Sequence, residues 1–280
     1  MKSFLHIVTV GTSIVRNASI NVDKYDILSK HRDRLIRWAR APMNSYEDKE
    51  AGEHARESSK IFLNVYSYVV SDPYGSSAEL NSLLKYLELL SSRGLKNIEH
   101  DIVLYPTDTG VSRFCAKIIK YFLEKDFIPE TIDIAKEHRI GNVELVEVKG
   151  FGYDFWRGLL NLVSSIALKL RDNISKYDRI LVNLTAGFKP ETGFLLLVSS
   201  LLGIDLAYYI HEYMREVIEI PILELKLTAT MKTIFTYLVK EQRIPSELIK
   251  ITDRLGLTIN GKPIPEAKEF AQIILKSTVI

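Results

Sequence analysis

Short apolar runs alternate with amphipathic segments along most of the chain. The runs are rich in β-branched and aliphatic residues, and each has the length of a buried strand. The predicted strands are 4–10, 102–105, 143–148, 179–182 and two within 206–225. Segments with apolar residues every three or four positions lie between these runs and predict helices. This alternation favours a doubly wound, mostly parallel α/β sheet with helices on both faces.

The helix boundaries follow from local signals. Ser76 and Glu79 form a capping-box pattern, which predicts that a helix begins at Ser76, and Gly94 ends that helix. Pro190 suits the first turn of another helix. The further predicted helices are 111–124, 154–172 and 190–202.

The polar stretch 17–60 interrupts the alternation and predicts a helical insert. It includes a basic segment between Lys30 and Arg40. A lid over a site, a dimer contact and a solvated face are all open for this insert, and we favour the last two. Residues 62–70 are β-branched and aromatic, so they predict either a further strand or the rim of the insert.

The last 56 residues differ in character from the rest of the chain. Residues 225–280 hold nine Lys or Arg and five Asp or Glu. They predict a helix at 230–238, a second at 246–255 capped by Ser246, a hairpin turn at Asn260-Gly261 and a final helix. That order resembles a winged helix-turn-helix. We therefore predict two domains, 1–224 and 225–280.

Bulk composition excludes several classes of protein. The net charge of +2 is too small to argue for general coating of nucleic acid. Cys115 is the single cysteine, so no internal disulfide is possible and a reducing, cytoplasmic setting fits best. We expect no signal peptide, because only Lys2 precedes the apolar residues 4–10 and no clear cleavage pattern follows them. We also expect no membrane span, because Gly203-Ile204-Asp205 divides the longest apolar stretch.

Three loops that follow predicted strands share small and hydroxyl-bearing residues. Open α/β sheets bind ligands at the carboxyl ends of their strands, where small residues let backbone N–H groups approach and helix N-termini favour anions. Lys189 adds a positive charge, so the set suits a phosphate. The loops are Gly11-Thr12-Ser13, Thr107-Asp108-Thr109-Gly110 and Asn183-Leu184-Thr185-Ala186-Gly187-Phe188-Lys189.

Familiar catalytic and cofactor motifs are missing from the sequence. No Gly-x-Gly-x-x-Gly and no Walker loop follows a strand. The six histidines show no metal-ligand spacing, and Ser13 does not lie in a Gly-x-Ser-x-Gly elbow. We therefore expect neither a metal nor a cofactor. Taken alone, Gly11-Thr12-Ser13 is also typical of an ordinary capped turn, and Asn183 of a backbone brace.

Together with the helix start Ser77-Ala78-Glu79-Leu80, these loops resemble the CRISPR-associated Rossmann-fold (CARF) family over about residues 1–224. That family carries an Asn-x-Thr-Gly-Gly-x-Lys-like motif, and Ala186 replaces its first glycine here. The resemblance implies a Rossmann-like domain that dimerises and binds cyclic oligoadenylates. It implies ligand contacts from Gly11, Thr12, Arg16, Thr107, Asp108, Thr109, Gly110, Asn183, Thr185, Ala186, Gly187 and Phe188.

Two functions are compatible with this resemblance. Many such proteins carry a ribonuclease domain with an Arg-x(4–6)-His motif, and we interpret the one formal match, Arg93 to His100, as chance. Without that domain, the chain resembles a ring nuclease that cleaves cyclic tetra-adenylate, with Ser13 and Lys189 as the active residues. The alternative is a regulator that binds DNA through its winged helix. Its second helix offers only Lys250 and Arg254 for phosphates.

Overall fold

The computed structural model describes most of the chain, and it describes the backbone alone for Lys189, Pro190 and Ser277. Within the described residues, strands and helices alternate as predicted. The described ranges are 1–151, 153–171, 174–186, 189–210 and 216–277. The strands are β1 (Lys2–Val10), β2 (Ile98–Pro106), β3 (His138–Leu145), β4 (Arg179–Asn183), β5 (Leu206–Ile210), β6 (Val217–Pro221), β7 (Thr258–Ile259) and β8 (Lys262–Pro263).

The helices form two groups, one before β2 and one after it. Those before β2 are α1 (Ser13–Ile20), α2 (Asp26–Ser29), α3 (Arg32–Ala39), α4 (Tyr46–Glu53), α5 (Lys60–Ser71), α6 (Pro73–Ser76) and α7 (Ala78–Ser92). Those after it are α8 (Gly110–Lys125), α9 (Phe155–Arg171), α10 (Lys189–Leu202), α11 (Ala229–Val239), α12 (Ser246–Arg254) and α13 (Pro265–Ser277).

The main sheet has the order β3-β2-β1-β4-β5-β6 and is parallel except for β6. This is the strand order of the Rossmann fold, in which ligands bind where the order reverses, beside the first strand. β1 alternates between two cores. Phe4 and Val8 face one core, whereas Leu5 and Ile7 face the other, as the period of a strand requires. The predicted α/β sheet with helices on both faces is confirmed.

Residues 62–70 belong to helix α5, so of the two alternatives for this segment the strand is wrong. The buried residues of α5 recur at helical spacing, and this pattern outweighs the β-propensity of the segment. Those residues are Ile61, Phe62, Val65, Tyr68 and Val69. Helices α1 to α4 occupy most of the stretch 17–60, although α1 begins earlier, at Ser13.

Two predicted helix caps are also wrong. The long helix α7 begins after Ser77, whose Oγ accepts a hydrogen bond from the Leu80 N–H at 3.2 Å, and Ser76 ends the short helix before it. Glu79 is therefore the second residue of the helix rather than the third. For α12, Pro245 takes the cap position that we assigned to Ser246.

The C-terminal segment has its own apolar cluster, which includes Ile234, Phe235 and Ile274. The predicted order of two helices, a hairpin and a third helix is present, and α13 packs against α9. Asn260 and Gly261 both have positive φ, as a tight hairpin turn requires. Whether these elements make a winged helix remains a prediction. No helix among the described residues has the length and apolar character needed to cross a membrane.

Three buried histidines form a hydrogen-bonded row across β1, β2 and β3. His6 Nε2 lies 2.8 Å from His100 Nδ1, and His100 Nε2 lies 3.0 Å from His138 Nδ1. The hydroxyls of Tyr208 and Ser91 close the two ends, at 3.1 and 3.0 Å. Each shared bond needs one N–H and one bare nitrogen, so protonating more than one ring would break the row, and burial favours the neutral form of each ring.

Acid should destabilise the protein through this row. Burial lowers the pKa of His6 to about 3, and burial also lowers the pKa of His100 and His138. Histidines in the unfolded chain titrate near pH 6.5. Below that pH these histidines bind protons in the unfolded chain but stay neutral in the folded row. Each histidine then costs up to about 1.4 kcal/mol of unfolding free energy per pH unit. We expect denaturant unfolding to show stability falling as the pH drops from about 6.5 towards 3.

The variant His138→Asn provides the control, because it cannot titrate at that position. Its stability at neutral pH should be lower, but its loss on acidification should be less steep than that of the wild type. Equal slopes would contradict a contribution from the row.

Candidate functional site

A pocket of about 730 Å³ lies at the carboxyl ends of β1, β2 and β4. Its volume is within the range of about 300–1,000 Å³ typical of small-molecule sites. Eight of the residues predicted to bind ligand line it, from all three loops. They are Gly11, Thr12, Ser13, Arg16, Thr107, Thr109, Thr185 and Ala186. The strand order explains this convergence, because β1 pairs directly with both β2 and β4.

The loop after β1 is held by the carboxylate of Glu79, at the start of α7. Glu79 Oε1 accepts a hydrogen bond from the Gly11 N–H at 2.8 Å, and Oε2 accepts one from the Ser13 hydroxyl at 2.5 Å. The Ser77 hydroxyl donates to Oε2 as well, at 2.9 Å. Only 2% of Glu79 is exposed, so these three donors replace the water that a buried charge would otherwise need.

Ser13 contributes a hydroxyl group to the pocket wall. Its hydroxyl proton goes to Glu79, and its oxygen accepts a hydrogen bond from the Ala78 N–H at 3.1 Å. A serine hydroxyl has one proton and two lone pairs. One lone pair of Ser13 therefore remains for a ligand.

The loop after β2 divides into pocket residues and packing residues. The hydroxyls of Thr107 and Thr109 lie 2.9 Å apart on the pocket wall. Asp108 does not line the pocket; its Oδ2 accepts a hydrogen bond from the Gly150 N–H at 2.8 Å. Gly110 packs against α4, where a Cβ would lie 1.7 Å from the Asp48 carbonyl oxygen. Ligand contacts from Asp108 and Gly110 thus remain predictions.

In the loop after β4, Asn183 braces the backbone. It is buried, its amide group donates to Ser82 Oγ at 2.6 Å, and its Oδ1 accepts from the Thr185 N–H at 3.0 Å. Thr185 and Ala186 reach the pocket. Gly187 and Phe188 lie outside the described residues. Lys189 begins α10, and the structure does not describe its side chain.

The charges on the described pocket wall are unevenly distributed. Arg16, which is exposed, is the cation of this wall, whereas Asp48, Glu79 and Glu191 bring carboxylates. Asp48 accepts a hydrogen bond from the Val111 N–H at 2.9 Å, at the N-terminus of α8. Among the described residues of this wall, Arg16 brings the positive charge, and the N-terminus of α1 adds the partial charge of a helix dipole.

Sequence reasoning missed two parts of this site. It placed Glu79 in a helix cap, and a contact with a loop 66 residues away leaves no local signal. It also favoured a solvated or dimer-facing insert, whereas Trp38, Ala39 and Met43 of the insert form one wall of the pocket. Among the described residues, no group of three or more His, Cys, Asp or Glu side chains is arranged to hold a metal ion.

The Arg93–His100 pair is not arranged as a nuclease site. Arg93 forms an ion pair with Glu219, and His100 is buried in the histidine row of the sheet. The interpretation of this motif as a chance match therefore agrees with the structure.

The strand order and the pocket define a Rossmann-like α/β protein with a pocket at the carboxyl edge of its sheet. The model of a family described as CRISPR-associated protein (Cas_APE2256) matches residues 74–223, more than half of the chain. The chain belongs to this CRISPR-associated family. The matched region contains α7 with Glu79, two of the three pocket loops and strands β2 to β6.

Packing at Gly110 gives a direct test of the wall between α4 and α8. The variant Gly110→Ala should lower the free energy of unfolding by about 3 kcal/mol, the upper end of the range for overpacking. The reason is that its Cβ would meet backbone atoms, which cannot rotate away as a side chain can. The matched control is Gly193→Ala in α10, where a Cβ meets nothing within 4 Å. It should be neutral or stabilising by up to about 1 kcal/mol. Equal melting temperatures for the two variants would contradict this packing.

Proposed function

We propose that this protein is a ring nuclease that binds cyclic tetra-adenylate and cleaves it to linear di-adenylate with a 2′,3′-cyclic phosphate. The observation that carries the proposal is the meeting of three hydroxyl-bearing loops at one pocket, with Ser13 on its wall. Membership of a CRISPR-associated family supports a role in CRISPR defence. Cleavage of the ring would switch off type III CRISPR signalling.

The proposed reaction is an in-line attack by a ribose 2′-hydroxyl on its own 3′-phosphate. The enzyme must align the 2′-oxygen, the phosphorus and the 5′-oxygen, and it must stabilise charge on the phosphate. Loop amides and Lys189 would supply that stabilisation, worth about 2–4 kcal/mol for each well-placed donor. Ser13 would position the 2′-hydroxyl or the phosphate.

A direct assay tests the proposal. The full-length protein is incubated with labelled cyclic tetra-adenylate in EDTA, and the products are separated by chromatography. We expect linear di-adenylate with a cyclic phosphate. A ring with 2′-O-methyl riboses should bind but remain intact, because it lacks the nucleophile. Cleavage of the methylated ring, or a need for added Mg²⁺ or Mn²⁺, would contradict the mechanism.

Removal of the two proposed active residues should have different effects. Ser13→Ala should lower the cleavage rate about 100-fold with a smaller loss of affinity, since it acts on alignment. Lys189→Ala should lose cleavage and also weaken binding, because it removes a cation that holds phosphate. The controls Ser19→Ala and Lys24→Ala change the same residue types outside the pocket lining and should behave as wild type. Wild-type turnover in Lys189→Ala would remove that residue from the mechanism.

We also propose that the protein acts as a homodimer with one ring bound across its two-fold axis. A cyclic tetramer has rotational symmetry compatible with that axis, and two-fold dimers are the commonest oligomers. Each protomer would then cut one of two opposite phosphodiesters. Calorimetry should give about 0.5 ring per chain. One ring per chain, or a fully active monomer, would contradict this arrangement.

The alternative of a DNA-binding regulator gains no support from the part of the chain that the structure describes. On α12, Lys250 and Arg254 stand beside Glu247 and Asp253. Asp253 accepts hydrogen bonds from Thr258 and from the Gly261 N–H, so it serves the hairpin. A helix with balanced charge is a poor partner for a phosphate backbone.

A further inference from the structure

We propose that Glu79 is a positioning residue for ring cleavage, which holds the Ser13 proton so that Ser13 accepts the proton of the attacking 2′-hydroxyl. This inference rests on the proposed function and adds a proton acceptor to it. It comes from the hydrogen bonds of two neighbouring side chains at the pocket.

The first step of the argument is the direction of the Ser13–Glu79 hydrogen bond. The Ser13 oxygen already accepts from the Ala78 N–H, and Glu79 Oε2 lies 2.5 Å away. The Gly11 N–H and the Ser77 hydroxyl donate to the same carboxylate, as expected for an ionised acceptor. The Ser13 hydroxyl therefore donates to Glu79 and has no second proton to give.

The second step is what Ser13 can recognise. A group that has committed its proton can only accept a further hydrogen bond. The non-bridging oxygens of a phosphodiester are acceptors, so they gain nothing from Ser13, whereas a ribose hydroxyl is a donor. The geometry therefore assigns Ser13 to the ribose 2′-hydroxyl and leaves the phosphate to the loop amides and the cations.

The third step is the negative charge behind Ser13. Glu79 is buried, and in the described part of the chain it forms no ion pair. The described donors to this carboxylate are neutral: two hydroxyls and one backbone amide. Because the Ser13 hydroxyl already donates to Glu79 Oε2, the carboxylate is placed to receive the Ser13 proton when Ser13 gains another.

The chemical step balances as follows. The 2′-hydroxyl proton moves to Ser13 Oγ while the Ser13 proton moves to Glu79 Oε2, and the 2′-oxygen bonds to phosphorus. The bond from phosphorus to the 5′-oxygen breaks, and that oxygen takes a proton from water. Glu79 then returns its proton to solvent, so the enzyme is regenerated without a metal or a covalent intermediate.

The test compares Glu79→Gln with Glu88→Gln, the same change at a residue of α7 outside the pocket lining. Single-turnover cleavage of cyclic tetra-adenylate should fall about 100-fold or more in Glu79→Gln, with ring affinity retained. Glu88→Gln should match the wild type. The double variant Ser13→Ala with Glu79→Gln should be no slower than the slower single variant, because residues that act as a unit are not additive.

A second measurement needs no variant and keeps the proposal testable if Glu79→Gln does not fold. Two protons move together as the 2′-oxygen attacks, from the 2′-hydroxyl to Ser13 and from Ser13 to Glu79, so the wild-type rate in mixtures of H₂O and D₂O should curve with deuterium content. A linear dependence, or wild-type cleavage by Glu79→Gln, would overturn the role of Glu79 and leave the proposed function intact. Binding of the ring without cleavage by the wild type would overturn both.

Discussion

The carboxylate of Glu79 joins the loop after β1 to the start of α7, two segments that the chain places 66 residues apart. Among the described residues no cation pairs with this buried carboxylate, and its hydrogen bonds come from the Gly11 amide and the Ser13 and Ser77 hydroxyls. A buried carboxylate holds its hydrogen-bond donors in place, because the loss of any one donor leaves an unsatisfied buried acceptor. The conformation of the first loop, and hence the shape of the pocket, follows from that requirement.

Much of the fold was predictable because its signals are local. Apolar runs and helical periodicity gave the parallel sheet, and a parallel sheet brings the three loops to one edge. The errors arose where long-range packing decides. Residues 62–70 have β-propensity but bury one face of a helix. The cap of α7 is Ser77 and not Ser76, which lies one residue earlier. Glu79 and Asp48 act on distant backbone, which no spacing along the sequence reveals.

The insert changes how the pocket is built. In a plain α/β sheet the crevice at the strand ends is open on its outer side. Here Trp38 is buried at the pocket wall, and Met43 lies beside it with 42% of its surface exposed. Asp48, from the same insert, holds the first turn of α8 through the Val111 N–H. The insert is therefore bonded to α8 and supplies apolar side chains to the lining of the pocket.

The histidine row has a consequence for how the sequence can vary. Every internal bond in the row uses one N–H and one bare nitrogen, so the tautomers of His6, His100 and His138 are set together. Replacing the middle ring alone removes the partners of one nitrogen in His6 and one in His138, whereas an apolar change at all three positions leaves only the end hydroxyls of Tyr208 and Ser91 without their histidine partners. Substitutions at these three positions, which lie on three different strands, should therefore depend on one another: a single substitution should destabilise the protein more than a matched change at all three.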